Sequence, residues 1–286
     1  MVARRATLAS FLALAGCSPA RLLNLTISTR DILIDRDLPY GDGPQRRLDV
    51  YRPRAATAEP APTVVFIHGG RWQAGAKGDF LFVGQALASA GLVTVIPDYR
   101  HWPDVTWREL IDDAEAATRW AAAESPRFGG DPARLFLAGH SSGAHTAAML
   151  AVDPARLTDV RPSLRGLIGI SGPYNFLPAR DADIRAMFAG VDPALAQPVG
   201  VAGPGAPPTL LLHGLDDEVV RPRNSEALAA RLRALGTPAE VRLYPNVGHI
   251  KIVGALSTTL RRQAPTFADL TAFIRRTAAA TPPAAA

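Results

Sequence analysis

The chain has 286 residues and is 48% hydrophobic, enough to bury one large core in a single domain. Its formal charge is +5, but the cations are nearly all Arg, are scattered, and never form a block with interleaved aromatic residues; this speaks for a solvated surface and against a nucleic-acid partner. The single cysteine, Cys17, excludes an internal disulfide and leaves the domain without a Cys-based metal site or a catalytic thiol.

The N-terminus has Arg4 and Arg5, then an apolar run from Ala6 to Gly16, then Cys17. A charged start followed by a short apolar stretch reads as a secretory signal, too short to span a bilayer. Leu14-Ala15-Gly16-Cys17 resembles a bacterial lipobox, in which the cysteine is acylated and becomes the mature N-terminus. The expectation is a signal peptide over residues 1–16, a tether over 17–30, and a protein of the bacterial cell envelope. Its only membrane contact would be through lipid on Cys17.

Residues 32–34 and 48–51 read as edge strands separated by a turn at 41–44, and 53–62 as a Pro- and Ala-rich loop. Strands and helices then alternate. Residues 63–68 form an apolar, β-branched run that suits a strand buried on both faces. A helix over 79–90 ends at Gly91, a strand follows over 92–97, and a helix over 107–123. A strand over 135–138 leads to a helix over 142–152. Further strands fall at 167–170, 209–213 and 241–244, and further helices at 225–235 and 267–276. The Ala- and Pro-rich tail, 278–286, is expected to be disordered. This alternation predicts an α/β domain over residues 31–277, with a mostly parallel sheet covered by helices on both faces. Residues 172–208 lack strand signals and leave room for at most a small lid.

Gly139-His140-Ser141-Ser142-Gly143 fits G-x-S-x-G and lies between a buried strand and a helix of small residues. A sharp strand-to-helix turn there lifts the serine hydroxyl to the edge of the sheet, which makes Ser141 the candidate nucleophile. A serine hydroxyl needs a base. This strand–turn–helix arrangement places the acid and then the histidine later in the chain. Of six histidines, His249, in Asn246-Val247-Gly248-His249 just after the last strand, is the candidate base. His213 ends a strand and is expected to pack beneath the site. The loop after that strand offers Asp216, Asp217 and Glu218 as the acid. His68-Gly69-Gly70-Arg71-Trp72 follows the first buried strand, where backbone N–H groups can meet a developing oxyanion. Gly70 and Arg71 are the expected donors, with Ser142 as a third.

From about residue 48 to 249 these motifs resemble esterases of the α/β-hydrolase superfamily with an HGGxW loop. That group includes bacterial feruloyl-esterase-like enzymes, prenylcysteine methylesterases and kynurenine formamidases. Leu48-Asp49-Val50-Tyr51, Asp98-Tyr99-Arg100, Gly129-Gly130-Asp131-Pro132 and Ser171-Gly172-Pro173-Tyr174-Asn175 carry the resemblance further. The pattern H-G-x-x-D-x-x-V, frequent in this fold, falls on Asp217, with Asp216 as runner-up. Trp72 and Tyr174 are candidate substrate-binding residues. The Arg71 side chain reaches either the substrate or solvent, and Asp98 with Arg100 is expected to form a structural ion pair or loop anchor.

The resulting expectation is a serine carboxylesterase acting on small or short-acyl esters. It needs no cofactor, since no metal-ligand spacing occurs. The alternatives are an arylformamidase-type amidase and a catalytically silent envelope binding module.

Overall fold

A computed structural model describes residues 19–55 and 58–280. Cys17, the expected signal peptide and residues 281–286 lie outside the described residues. The helices are α1 (Pro19–Asn24), α2 (Leu81–Ser89), α3 (Trp107–Glu124), α4 (Ser142–Val152), α5 (Ala182–Met187), α6 (Pro198–Val201), α7 (Arg223–Ala234), α8 (His249–Gly254) and α9 (Thr266–Ala279). The strands are β1 (Ile32–Pro39), β2 (Arg47–Pro53), β3 (Ala61–Ile67), β4 (Val93–Pro97), β5 (Gly130–His140), β6 (Leu164–Ile170), β7 (Thr209–Gly214) and β8 (Ala239–Tyr244). They form one sheet in the order β1-β2-β4-β3-β5-β6-β7-β8. Pairing is parallel from β4 to β8, and β2 runs antiparallel to both its neighbours.

The apolar runs are buried on both faces because successive side chains alternate between two cores. Val65 and Ile67 of β3 join Leu135 and Leu137 of β5 beneath α3, α4 and α7. Val64 and Phe66 join Phe136 and Ala138 against α2 and α9. Parallel pairing forces each connection over a face of the sheet, which gathers the loops that follow the strands at one edge. Ser141, Asp217 and His249 all follow such strands. Among the described residues, no helix is long and apolar enough to cross a membrane.

Three local expectations need correction. Residues 19–24 of the expected tether form α1, docked on the domain. Arg21 Nε lies 2.7 Å from Asp79 Oδ1, and Asn24 Oδ1 accepts the Phe82 N–H at 3.1 Å. Strand β5 starts at Gly130, well before residue 135. There Ala61 pairs with Gly130 and Pro62 with Asp131, and the register shifts before Thr63, so partner strands override the turn propensity of Gly-Asp-Pro. The last helix runs to Ala279, past the expected start of the tail at 278.

Candidate active site

The turn from β5 to α4 passes through Ser141 at φ 55°, ψ −125°, a backbone conformation L-residues rarely adopt. Its surroundings hold it there. The Ser141 N–H donates to Ile170 O at 2.9 Å, and Ser141 O accepts from Ala144 N–H and His145 N–H. Gly143 lets α4 start directly against β3, since a Cβ on it would lie 2.1 Å from Ile67 O.

Ser141 Oγ lies 2.8 Å from His249 Nε2, and His249 Nδ1 lies 2.8 Å from Asp217 Oδ2. Asp217 faces a carboxylate-acceptor geometry on its other oxygen too: Oδ1 accepts from the N–H groups of Val219 (3.0 Å) and Val220 (2.8 Å). Burial pushes the Asp217 carboxyl upward. Hydrogen bonds from His213, His249 and Val220 N–H outweigh that and hold it well below the usual carboxylate range, so it is ionised at neutral pH. A carboxylate can only accept, so His249 carries its proton on Nδ1 and presents a bare Nε2 to the serine hydroxyl. The Asp216 N–H donates to Val247 O at 3.1 Å, tying the loop after β7 to the loop after β8. Asp217, not Asp216, is the carboxylate that meets His249.

His213 packs beneath the site as expected. Its Nε2 is 2.8 Å from Val220 O and 3.4 Å from Asp217 Oδ2, and its Nδ1 is 2.8 Å from Ser225 Oγ. A carbonyl only accepts, so Nε2 bears the hydrogen and braces the acid loop. His140, not singled out in the sequence, does the same for the base. Its Nε2–H donates to His249 O at 3.0 Å, and the two rings lie 4.8 Å apart. The available signal was its place next to the nucleophile.

The loop after β3 is held in a tight reversal. Gly70 has φ 145°, and a Cβ on it would meet Ala74 O at 1.8 Å; Arg71 and Trp72 follow at φ 58° and 61°. Tyr99 Oη donates to His68 O at 2.7 Å and clamps the loop from below. The N–H groups of Gly70, Arg71 and Ser142 make no hydrogen bond among the described residues.

A cavity of about 550 Å³ opens over Ser141. Trp72 and Phe176 form its apolar side, stacked at 5.7 Å. Residues 171–208 form a small cap over it. The chain at Tyr174 and Asn175 is fastened by Asn224, whose Oδ1 accepts both backbone N–H groups. The chain at Phe176 and Leu177 is fastened by Gln197 Oε1. Arg71 lines the cavity with a half-exposed side chain and pairs with Asp181 of the cap at 2.8 Å.

Tyr174 does not line the cavity. It is fully buried, its ring lying against Gly169 and Gly172 in space those residues leave by lacking side chains. The substrate-binding expectation for Tyr174 is thus corrected, while Trp72 stands in the cavity wall. Asp98 and Arg100 do not pair with each other. Arg100 binds Asp113, which also binds Arg46, and Asp98 accepts the Lys77 N–H.

Three histidines around the site are buried and uncharged. Burial lowers His68 to about 4, His140 to about 3 and His145 to about 4. In the unfolded chain each returns to about 6.5, so the unfolded state binds more protons below that pH. The stability they contribute is complete above pH 6.5 and is lost as pH falls. We expect a loss of about 5 kcal/mol between pH 6.5 and 5 if all three titrate independently. Denaturant unfolding across that window, with calorimetric proton uptake approaching three per molecule at pH 5, checks it. A pH-independent midpoint would reject it.

The comparisons with known proteins agree with this architecture. A family model described as BD-FAE matches residues 48–180, and one described as Prolyl oligopeptidase family matches residues 195–281. A probable isoprenylcysteine alpha-carbonyl methylesterase of Arabidopsis thaliana is 30% identical over 242 residues, covering 76% of this chain and 51% of that protein. Esterase LipC of Mycobacterium tuberculosis is 30% identical over 243 residues, covering 77% of this chain and 58% of that protein. The chain thus spans little more than half the length of these relatives. An esterase structure from Pyrobaculum calidifontis superposes with a TM-score of 0.75 over 91% of both chains at 24% identity, which shows a shared fold. With its mostly parallel eight-stranded sheet, its strand–serine–helix turn and these matches, the chain belongs to the α/β-hydrolase superfamily.

Proposed function

We propose that the chain is a serine carboxylesterase that hydrolyses small or short-acyl carboxylic esters through an acyl-enzyme intermediate. The observation that carries this is the unbroken relay from Asp217 through His249 to Ser141, with both hydrogen bonds at 2.8 Å, beneath an open cavity. His249 Nε2 takes the Ser141 proton as Oγ attacks the ester carbonyl. The N–H groups of Gly70, Arg71 and Ser142, free of other partners among the described residues, receive the negative oxygen. The tetrahedral intermediate collapses, His249 gives its proton to the departing alkoxide, and the acyl group stays on Oγ. Water then attacks the acyl-enzyme with His249 as base, releasing the acid and restoring Ser141. Asp217 stabilises the imidazolium in both halves without taking a proton.

The cavity is about 550 Å³ and its mouth is charged, which disfavours a long alkyl chain. For p-nitrophenyl esters from C2 to C12, kcat/KM is expected to peak at C2–C4 and to fall at least tenfold by C10. A preference for long chains would overturn the short-acyl part of the reading. Absence of turnover on every ester, with an intact fold and no labelling by a fluorophosphonate, would overturn the esterase itself. Faster cleavage of N-formylkynurenine than of any ester would favour the amidase.

A further inference from the structure

The walls of the cavity over Ser141 carry an unequal charge. Arg71, Arg180, Arg221 and Arg223 line it, against Asp181 and Glu218. Asp181 is engaged by Arg71 at 2.8 Å. Arg180, Arg221 and Arg223 have no ion-pair partner among the described residues, and neither has Glu218. A single free carboxylate thus faces three free guanidinium groups around one half-enclosed cleft.

The placement works against local stability. Arg221 and Arg223 flank Pro222 where α7 begins, at the positive end of a helix of 12 residues. Cations there oppose the helix dipole. Arg180 adds a third positive group from the cap on another wall. A site that breaks local rules in this way is where function is expected. Guanidinium groups also suit the task, because they bind carboxylate and phosphate oxygens through paired N–H donors, and a cleft with apolar walls concentrates their field.

We infer that the ester taken by this site bears an anionic group, a carboxylate or phosphate, which Arg221, Arg223 and Arg180 hold while the ester carbonyl lies at Ser141. This rests on the esterase reading above and narrows its substrate class. The anion sits on either the acyl or the alcohol half of the ester, and the two are separable by experiment.

The test compares matched pairs on the purified protein. For the acyl half, mono-p-nitrophenyl glutarate is set against its neutral methyl ester. For the alcohol half, 4-acetoxyphenylacetate is set against its methyl ester. In at least one pair the anionic member is expected to show about tenfold higher kcat/KM, carried mainly by KM. That ratio is expected to shrink as salt rises from about 0.05 to 0.5 M. It should fall toward one in Arg221→Gln/Arg223→Gln and, independently, in Arg180→Gln. Arg262→Gln, an exposed charge outside the cavity, is expected to leave the ratio unchanged. Equal or lower kcat/KM for both anionic esters overturns the inference while leaving the esterase intact. A preference that persists in both cavity variants overturns it as well. No turnover of any of the four esters overturns the esterase reading and this inference together.

Discussion

Ser141→Ala is expected to lower kcat on a short-acyl ester by a factor on the order of 10⁵ or more, with the fold unchanged. The size of the effect follows from the site's having one reachable nucleophile. Ser142, the nearest other hydroxyl, is buried at 2% exposure, and its N–H faces the reaction instead. The residual rate would come from the free N–H groups and from binding alone. Stability should change by less than about 1 kcal/mol. The lost hydroxyl makes its hydrogen bond to His249, while His249 remains held by Asp217 through Nδ1 and by His140 through its carbonyl. Ester kinetics, fluorophosphonate labelling and thermal unfolding on the same preparation separate these effects. A loss of less than tenfold would show that another group attacks the ester.

Asp217→Asn is expected to reduce kcat by about 10⁴ at neutral pH, through the wrong histidine tautomer. The geometry dictates which way the new amide turns. Val219 N–H and Val220 N–H point at one oxygen of Asp217, so the asparagine must keep its oxygen there. Its NH₂ group then faces His249 Nδ1, which can only accept from it. The ring proton is driven to Nε2, pointing at Ser141 Oγ, where a base should be. His213 keeps its bonds to Val220 O and Ser225 Oγ, so the acid loop stays in place. A single-turnover measurement should find acylation slowed by the same factor, with KM little changed. Raising pH toward 10 should recover part of the rate as hydroxide substitutes for the base. Asp216→Asn, in the same loop, is expected to stay within threefold of the parent; a large loss there with a small loss at Asp217 would reassign the acid.

The motifs around the nucleophile were legible in the sequence because each is set by local backbone demands. Gly143 permits the contact with β3, Gly70 permits the reversal at φ 145°, and the strand before each glycine-bearing loop announces itself by apolar runs. The order serine, acid, histidine is that of the fold, and the H-G-x-x-D-x-x-V pattern falls on Asp217. Gly-Asp-Pro favours a turn in isolation, and only pairing with β3 extends strand β5 back to Gly130. Six residues at 19–24 carry too little periodicity to announce a helix; contacts of Arg21 and Asn24 with residues 78–82 make one. A motif points Tyr174 to the site, and the empty volume beside Gly169 and Gly172 takes it into the core instead.

Sequence alone determined the fold class and pointed to Ser141 and His249, since hydrophobic period, glycine position and chain order are properties of neighbours along the chain. Tertiary structure decided everything that depends on groups far apart in sequence. It chose Asp217 over Asp216, since only one of two adjacent carboxylates turns toward His249. It set His140 behind the base across 109 positions, paired Arg71 with Asp181 across 110, and brought Arg180 to the same cavity as Arg221 and Arg223. Such contacts depend on where the sheet and the cap bring distant loops together, and no local pattern encodes that distance.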